Sequence, residues 1–137
     1  MTAQQTADCA RRWFQEVWND RREATIEEFL TPASVCHADQ GDLQGIEAFR
    51  LQQYEPFIGA FPDLEVTVED VLASGEQAVV RWSARGRHQG PHLGLPATNQ
   101  VVTISGMTWM RFQDGKLLEG WQTSSIPEVL RQLSGGI

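Results

Sequence analysis

The stretch Gln100–Ser125, QVVTISGMTWMRFQDGKLLEGWQTSS, limits the possible folds more than any other. Two β-rich runs flank Asp114-Gly115, and a two-residue Asp-Gly loop has the backbone twist that a tight antiparallel hairpin needs. The run before it, Gln77–Gln89, alternates. Ala78, Val80, Trp82, Ala84, Gly86 and His88 fall on one face, and Arg81, Ser83, Arg85 and Arg87 on the other. One face is therefore apolar and ends in a histidine, while the other is basic and wet. Successive runs of this kind predict an antiparallel sheet with an inside.

Composition narrows the function classes. The chain has 137 residues, one-domain length, so residues 1–137 are expected to form a single domain burying roughly two thirds of its unfolded surface. A net charge of −7 argues against nucleic acid or an anionic membrane as partner, because both call for clustered positive charge. No apolar run approaches the ~20 residues of a membrane span, and MTAQQTADCARR lacks the layout of a signal peptide, so a cytoplasmic protein is expected. Cys9 and Cys36 form no Cys-x-x-Cys pair and read as two reduced, buried thiols. His88 and His92 have the spacing of a helical zinc pair, but Gly90-Pro91 between them excludes the helix, so no metal is expected. The single lysine, Lys116, follows the turn glycine and stays solvated, which disfavours Schiff-base chemistry. The chain has neither a phosphate-cradling glycine loop nor a G-x-S-x-G elbow, and no cofactor is expected.

Taken in order, Thr2 with Gln5 forms a capping box ahead of Ala10, Trp13, Phe14, Val17 and Trp18 at helical spacing, predicting a first helix to about Asn19. Thr25 and Glu28 repeat the box and Pro32 stops a short second helix, with a brief strand over Ser34–Ala38 after it. Ile46, Phe49, Tyr54, Phe57, Ile58 and Phe61 mark a third helix, with Pro56 predicting a kink one turn earlier. Leu64–Leu72 alternates as a strand and Ser74-Gly75 turns it into the Gln77–Gln89 strand. Gln89–Asn99 is the longest connection in the sheet, and loops of that length often serve as lids. Ile126-Pro127 opens a terminal helix to Leu133, followed by a frayed Ser134-Gly135-Gly136 tail. Helices first and then a meander of four strands make an α+β layout.

Phe61-Pro62-Asp63-Leu64, Val80-Arg81-Trp82, Gly86-Arg87-His88-Gln89-Gly90, Gly94-Leu95-Pro96-Ala97-Thr98, Arg111-Phe112-Gln113-Asp114-Gly115-Lys116 and Glu119-Gly120-Trp121 occur in that order. In this the chain resembles the SnoaL-like polyketide cyclases, or ester cyclases, of the nuclear transport factor two-like superfamily. The resemblance implies a cone-shaped α+β barrel, three N-terminal helices packed on a curved antiparallel sheet around an apolar pocket. It also implies a homodimer through the outer sheet face, and a pocket carboxylate that handles the proton of an aldol closure. The family commonly places that aspartate four residues after the tryptophan matched by Trp121, where this chain has Ser125. A serine is no base at neutral pH.

Candidate site residues follow from residue type and parity. His37, near Asp39, suits general acid or base work at a pocket mouth, and His88 has inward parity with Trp82. Glu119 shares parity with Leu117, Trp121 and Ser125. Facing inward it is a carboxylate raised toward neutrality by apolar walls; facing outward it pairs with a strand-face arginine. Tyr54 could donate to an oxyanion. Trp13, Tyr54, Phe57, Trp82, Met110, Trp121 and Ser125 complete the expected wall for an apolar small-molecule ligand. Trp109 has outward parity beside Met107, which points to a covered outer face. The expected function is a cofactor-free cyclase, isomerase or dehydratase acting by proton transfer on an apolar carbonyl compound. A non-catalytic binding module is the alternative, and an interaction scaffold a third.

Overall fold

Thr2 caps the first helix as its sequence requires. The hydroxyl accepts from the Gln5 amide at 3.1 Å and the Gln5 side chain accepts from the Thr2 amide at 2.8 Å. This is a computed structural model that describes residues 1–135; Gly136 of the expected tail lies outside the described residues. Helix α1 covers Ala3–Arg12 and runs on through a wider, π-helical turn, Trp13–Asn19. Helix α2 is Glu23–Phe29 and begins before Thr25, so the second expected capping box does not form. Thr25 is buried within the helix and donates to Glu16 at 2.7 Å. Helix α3 starts at Ile46–Phe49, widens over Arg50–Tyr54 and continues through Glu55–Ala60. Its widened turn lies one turn before Pro56, where the ring has no N–H for the ladder, so the kink expected there takes the form of a π-bulge.

Six strands build one curled sheet: β1 Val35–Ala38, β2 Gly41–Gln44, β3 Glu65–Ser74, β4 Gln77–Arg87, β5 Val101–Gln113 and β6 Lys116–Ser124. Their spatial order is β2-β1-β6-β5-β4-β3. Asp114 and Gly115 both take positive φ, 51° and 78°, as the two central positions of a tight hairpin turn must. The sheet is not wholly antiparallel, because β1 pairs parallel to β6. Nor do three helices simply precede it: the β1–β2 hairpin comes between α2 and α3, and a fourth helix, α4 at Ile126–Leu133, follows β6. Among the described residues no helix is long and apolar enough to cross a membrane.

The inner face of the sheet carries Ala78, Val80, Trp82 and Ala84 of β4 and Val102, Ile104, Met110 and Phe112 of β5, all buried. Aromatic side chains of the helices close over them: Trp13 stands edge-on to Phe29, and Phe14 lies 6.1 Å from Trp82. Gly106 leaves room for that tryptophan, since a Cβ there would stand 2.4 Å from Trp82 Cζ2. In β6 the alternation is broken. Arg111 pairs with Glu119 and Phe112 with Leu117, so Leu118 is the extra residue of a β-bulge. Leu117 therefore faces in while Glu119 and Trp121 face out, although all three share sequence parity.

Candidate functional site

Between the sheet and α1–α3 lie two adjoining narrow hollows. Trp13, Leu30, Phe49 and Met110 wall the first, and the β1–β2 hairpin closes its side with Val35, Cys36 and Leu43. Phe57, Leu64, Trp82 and Ile104 wall the second. Phe14, Trp18, Gln53 and Gln122 belong to both and form the waist between them.

The polar groups of this interior are arranged by a donor that has only one option. The Trp82 indole Nε1–H donates to Thr108 Oγ1 at 2.9 Å, so the threonine hydroxyl spends its own hydrogen on Gln122 Oε1, 3.2 Å away. The Gln122 carbonyl is thereby occupied, and its NH₂ is left for the hollow that the side chain lines. Thr108 and Gln122 are direct cross-strand partners, which fixes the spacing. Gln53 answers from α3. It is 7 % exposed, and its Oε1 is buried without a hydrogen-bond partner.

Among the residues lining the two hollows, the one titratable side chain is Cys36, whose thiol burial pushes up to about 11. At neutral pH it is a thiol, so the interior offers amide, hydroxyl and thiol groups against aromatic walls and no charge. It can orient a neutral apolar molecule and polarise a carbonyl group on it.

Trp13, Phe57, Trp82 and Met110 line the hollows, where the sequence put them. The others stand elsewhere. Tyr54 is buried against Trp18 at 5.6 Å but is not among the lining residues. Trp121 is on the opposite, outer face of the sheet, 41 % exposed, because the Leu118 bulge resets the parity of β6. Ser125 lies at the end of β6, where its Oγ accepts from the Ser105 amide at 3.0 Å and its own amide donates to the Ser105 carbonyl at 2.9 Å. It borders a shallow outer groove with Gly106 and Thr123.

None of the three expected proton-transfer groups lines the hollows. His37 is on the outer face of β1, where its ring stacks on Trp121 at 5.6 Å. Its Nδ1 meets Asp42 at 2.8 Å and its Nε2 meets Glu119 at 2.7 Å. Asp39 is not its partner: that carboxylate accepts from the Ser124 amide at 3.1 Å and from the Ser124 hydroxyl. Glu119 also accepts from Arg111 at 3.3 Å, the outward pairing with a strand-face arginine. The hydrogen bond from His37, with help from Arg111, holds the Glu119 carboxyl below its usual range, the reverse of a base raised toward neutrality. His88 does face inward, but it is sealed at 0 % exposure between Phe61 and Thr98. The Gln89–Asn99 loop that follows lines neither hollow. It is docked on the end of α3, with the amides of Gln89 and Gly90 both donating to the Ala60 carbonyl.

Gln53, Thr108 and Gln122 were missed by reading the sequence for acids and bases. The signal was there: Gln53 interrupts the apolar series Phe49, Phe57 at four-residue spacing, and Gln122 follows Gly120 on the inward parity.

Comparison with known proteins places these features in context. The family profile described as SnoaL-like polyketide cyclase matches residues 8–133. No curated protein matches the chain. Among solved structures, a protein from Jannaschia sp. CCS1 provisionally named a SnoaL-like polyketide cyclase is 27 % identical. It superposes with a TM-score of 0.87 over 97 % of this chain and 94 % of its own. IdmH from Streptomyces antibioticus, provisionally named a polyketide cyclase, is 26 % identical with a TM-score of 0.79, over 95 % of this chain and 99 % of its own. AclR from Streptomyces galilaeus, provisionally named a hydroxylase, shares the fold at 22 % identity, TM-score 0.82, over 97 % and 83 %.

Proposed function

The chain belongs to the SnoaL-like polyketide cyclase family, and from that premise we propose that it is a small-molecule enzyme of the cyclase or isomerase kind, acting on an apolar carbonyl-containing substrate in the aromatic-walled hollow. The observation that carries this reading is the fixed orientation of Gln122, whose amide N–H groups are presented to a hollow lined by aromatic and aliphatic side chains and no charged group. A donor held at a carbonyl oxygen stabilises the negative charge that builds there as a neighbouring carbon attacks, and an apolar site makes that interaction strong. The walls of Trp13, Phe14, Trp18 and Trp82 hold a flexible chain folded so that the two carbons meet. In an aldol closure the enol carbon forms the new C–C bond, the carbonyl oxygen becomes an alkoxide bonded to Gln122, and the proton lost from the enol returns to that oxygen through water at the mouth. Product and substrate are isomers, so no co-reactant enters.

The lack of a base among the lining residues favours a second reading, a binding module that holds a hydrophobic molecule without chemistry. One assay separates the two. With an aromatic ester bearing a poly-β-ketone side chain, the wild type is expected to accelerate ring closure over buffer and Gln122→Leu to lose about 10²–10³-fold of that rate. Binding without acceleration by the wild type, or equal rates from both proteins, overturns the catalytic reading.

A further inference from the structure

We propose that the β1–β2 hairpin is a movable side wall of the first hollow, and that protonated His37 fastens it shut, so that a proton controls how fast a ligand enters and leaves. The inference rests on the reading of the hollow as a small-molecule site and adds how access to that site is regulated.

The hairpin is lightly held. Its strands have four residues each, none of them fully buried. β2 is an edge strand that pairs only with β1, and β1 joins β6 over three residue pairs, Val35–Glu119, Cys36–Gly120 and His37–Trp121. Gly41 at the start of β2 and Gly45 just after it have φ of 125° and 88°, where a residue without Cβ turns freely, so β2 has a pivot at each end. Val35, Cys36 and Leu43 of this hairpin nevertheless close the side of the first hollow. Outward movement of the hairpin opens it.

With little apolar surface to hold the hairpin, side-chain hydrogen bonds decide its position. Ser34 Oγ donates to the Leu117 carbonyl at 2.6 Å before β1, and Asp39 accepts from Ser124 after it. Both act on the ends of β1. Among the described residues, the one side-chain hydrogen bond that reaches β2 is that of His37 Nδ1 with Asp42, and Nε2 of the same ring meets Glu119 of β6. One imidazole therefore spans three strands. The charged groups facing it are Asp42 from β2 and Glu119 from β6, with Arg111 of β5 bonded to Glu119 and Trp121 stacked on the ring. A neutral ring has one N–H for these two carboxylates. If it keeps Glu119, β2 is released; if it keeps Asp42, the hairpin is released from β6. Either loss loosens the wall as pH rises above the ordinary histidine value of about 6.5 and through the raised value of the folded state.

The test follows 2-acetylnaphthalene by stopped-flow quenching of tryptophan fluorescence from pH 5.5 to 9. For the wild type, association and dissociation rates are expected to rise together about fivefold with pH while Kd is unchanged, because the wall alters the barrier and not the bound state. His37→Phe keeps a ring on Trp121 without either bond, and is expected to be fast at every pH with the wild-type Kd, which also shows that it is folded. Asp42→Ala serves should that variant fail to fold, with rates at pH 5.5 raised toward those of the wild type at pH 9. Flat wild-type rates, a step in one rate alone, or a pH step that survives in His37→Phe overturn the inference. Amide hydrogen exchange needs no ligand: at pH 5.5 His37→Phe is expected to lose protection over 35–44 and not in β3–β5, and equal protection of the hairpin in both proteins also overturns it. If the ketone binds at no pH while exchange behaves as expected, the reading of the hollow fails instead, a separate result.

Discussion

His37 reaches Glu119 at 2.7 Å across the parallel β1–β6 join of the sheet, and its other nitrogen is 2.8 Å from Asp42. A neutral imidazole has one N–H and cannot donate to two carboxylates, so this arrangement belongs to the imidazolium. Hydrogen bonds to Glu119 first, then Asp42, raise the His37 pKa, while the bond from His37 lowers that of Glu119. The histidine's contribution is complete below its ordinary value of about 6.5 and is lost as pH rises through the raised folded value. The Glu119 contribution is complete above its ordinary value of about 4.3 and is lost as pH falls through the lowered one. The latch is thus strongest between roughly pH 4.3 and 6.5. His37→Ala is expected to lower Tm by a few degrees near pH 5.5 and by much less at pH 9, the groups being partly exposed and screened. Equal losses at both pH values would show that the ring acts only by stacking on Trp121.

Two glycines make opposite demands on their neighbours. At Gly90 an added Cβ falls 2.0 Å from the carbonyl oxygen of Gly59, a backbone atom with no room to retreat. Gly90→Ala should free the Gln89–Asn99 loop from α3 and destabilise the protein by about 3 kcal/mol or more. At Gly106 the obstacles are the Trp82 ring, 2.4 Å away, and the Ser124 Cβ at 2.9 Å, both side-chain atoms, so the added methyl group forces the ring to turn. Turning breaks its bond to Thr108 and frees the Gln122 amide to flip, so Gly106→Ala costs about 1–3 kcal/mol and also reduces turnover or ketone binding. Thermal melts with a parallel ligand titration separate the two. A Gly106→Ala protein that binds ketone like the wild type would break the link between Trp82 and Gln122.

Local chemistry made much of this fold legible. Thr2 with Gln5, the Asp114-Gly115 turn and the alternation of β4 each act over a few residues, and each appears as the sequence predicts. What could not be read depends on distant partners. The strand Gly41–Gln44, GDLQ, has little β propensity and exists as the hairpin mate of β1. One extra residue at Leu118 sends Glu119 and Trp121 to the outer face, and nothing in KLLEGW marks a bulge. The His37–Glu119 pair joins residues 82 apart through the parallel β1–β6 contact, which a meander does not foretell. The waist was hidden for another reason: glutamines at inward positions read as noise on an apolar stripe until the structure shows one of them unpaired.

The outer face bears on assembly. Trp109 and Trp121 are cross-strand partners there, with ring centroids 6.2 Å apart, and Met107, Trp109 and Trp121 are 47 %, 50 % and 41 % exposed. An apolar patch flanked by Arg81 and Arg111 on one hand and Glu69 and Glu119 on the other carries both signs, which a surface that pairs with its own copy by two-fold symmetry can match to each other. We propose a second copy of this chain as its occupant. Light scattering at micromolar concentration is expected to give a dimer mass for the wild type and a monomer mass for Met107→Glu with Trp109→Glu. A monomeric wild type, or a dimeric variant, removes the proposal.

His88 has a fixed tautomer rather than a free proton to give. The Thr98 amide donates to its Nδ1 at 3.2 Å, with the Thr98 hydroxyl 3.0 Å from the same nitrogen, so Nδ1 carries the lone pair and the hydrogen sits on Nε2. That Nε2 is buried without a hydrogen-bond partner, beside the Phe61 ring. The residue therefore pins the start of the Gln89–Asn99 loop, and its amide and carbonyl extend the pin by bonding Gln100 and Asn99 at 2.8 Å each. His88→Leu strands the half-buried Thr98 donor and is expected to cost about 1–3 kcal/mol of stability. Because the ring lines neither hollow, ketone binding by the folded fraction should be unchanged. Nitrogen chemical shifts of the His88 ring, measured with the melting curve, decide the matter. A hydrogen found on Nδ1, or a His88→Leu protein that melts like the wild type but has lost its activity, would return this histidine to the list of proton donors.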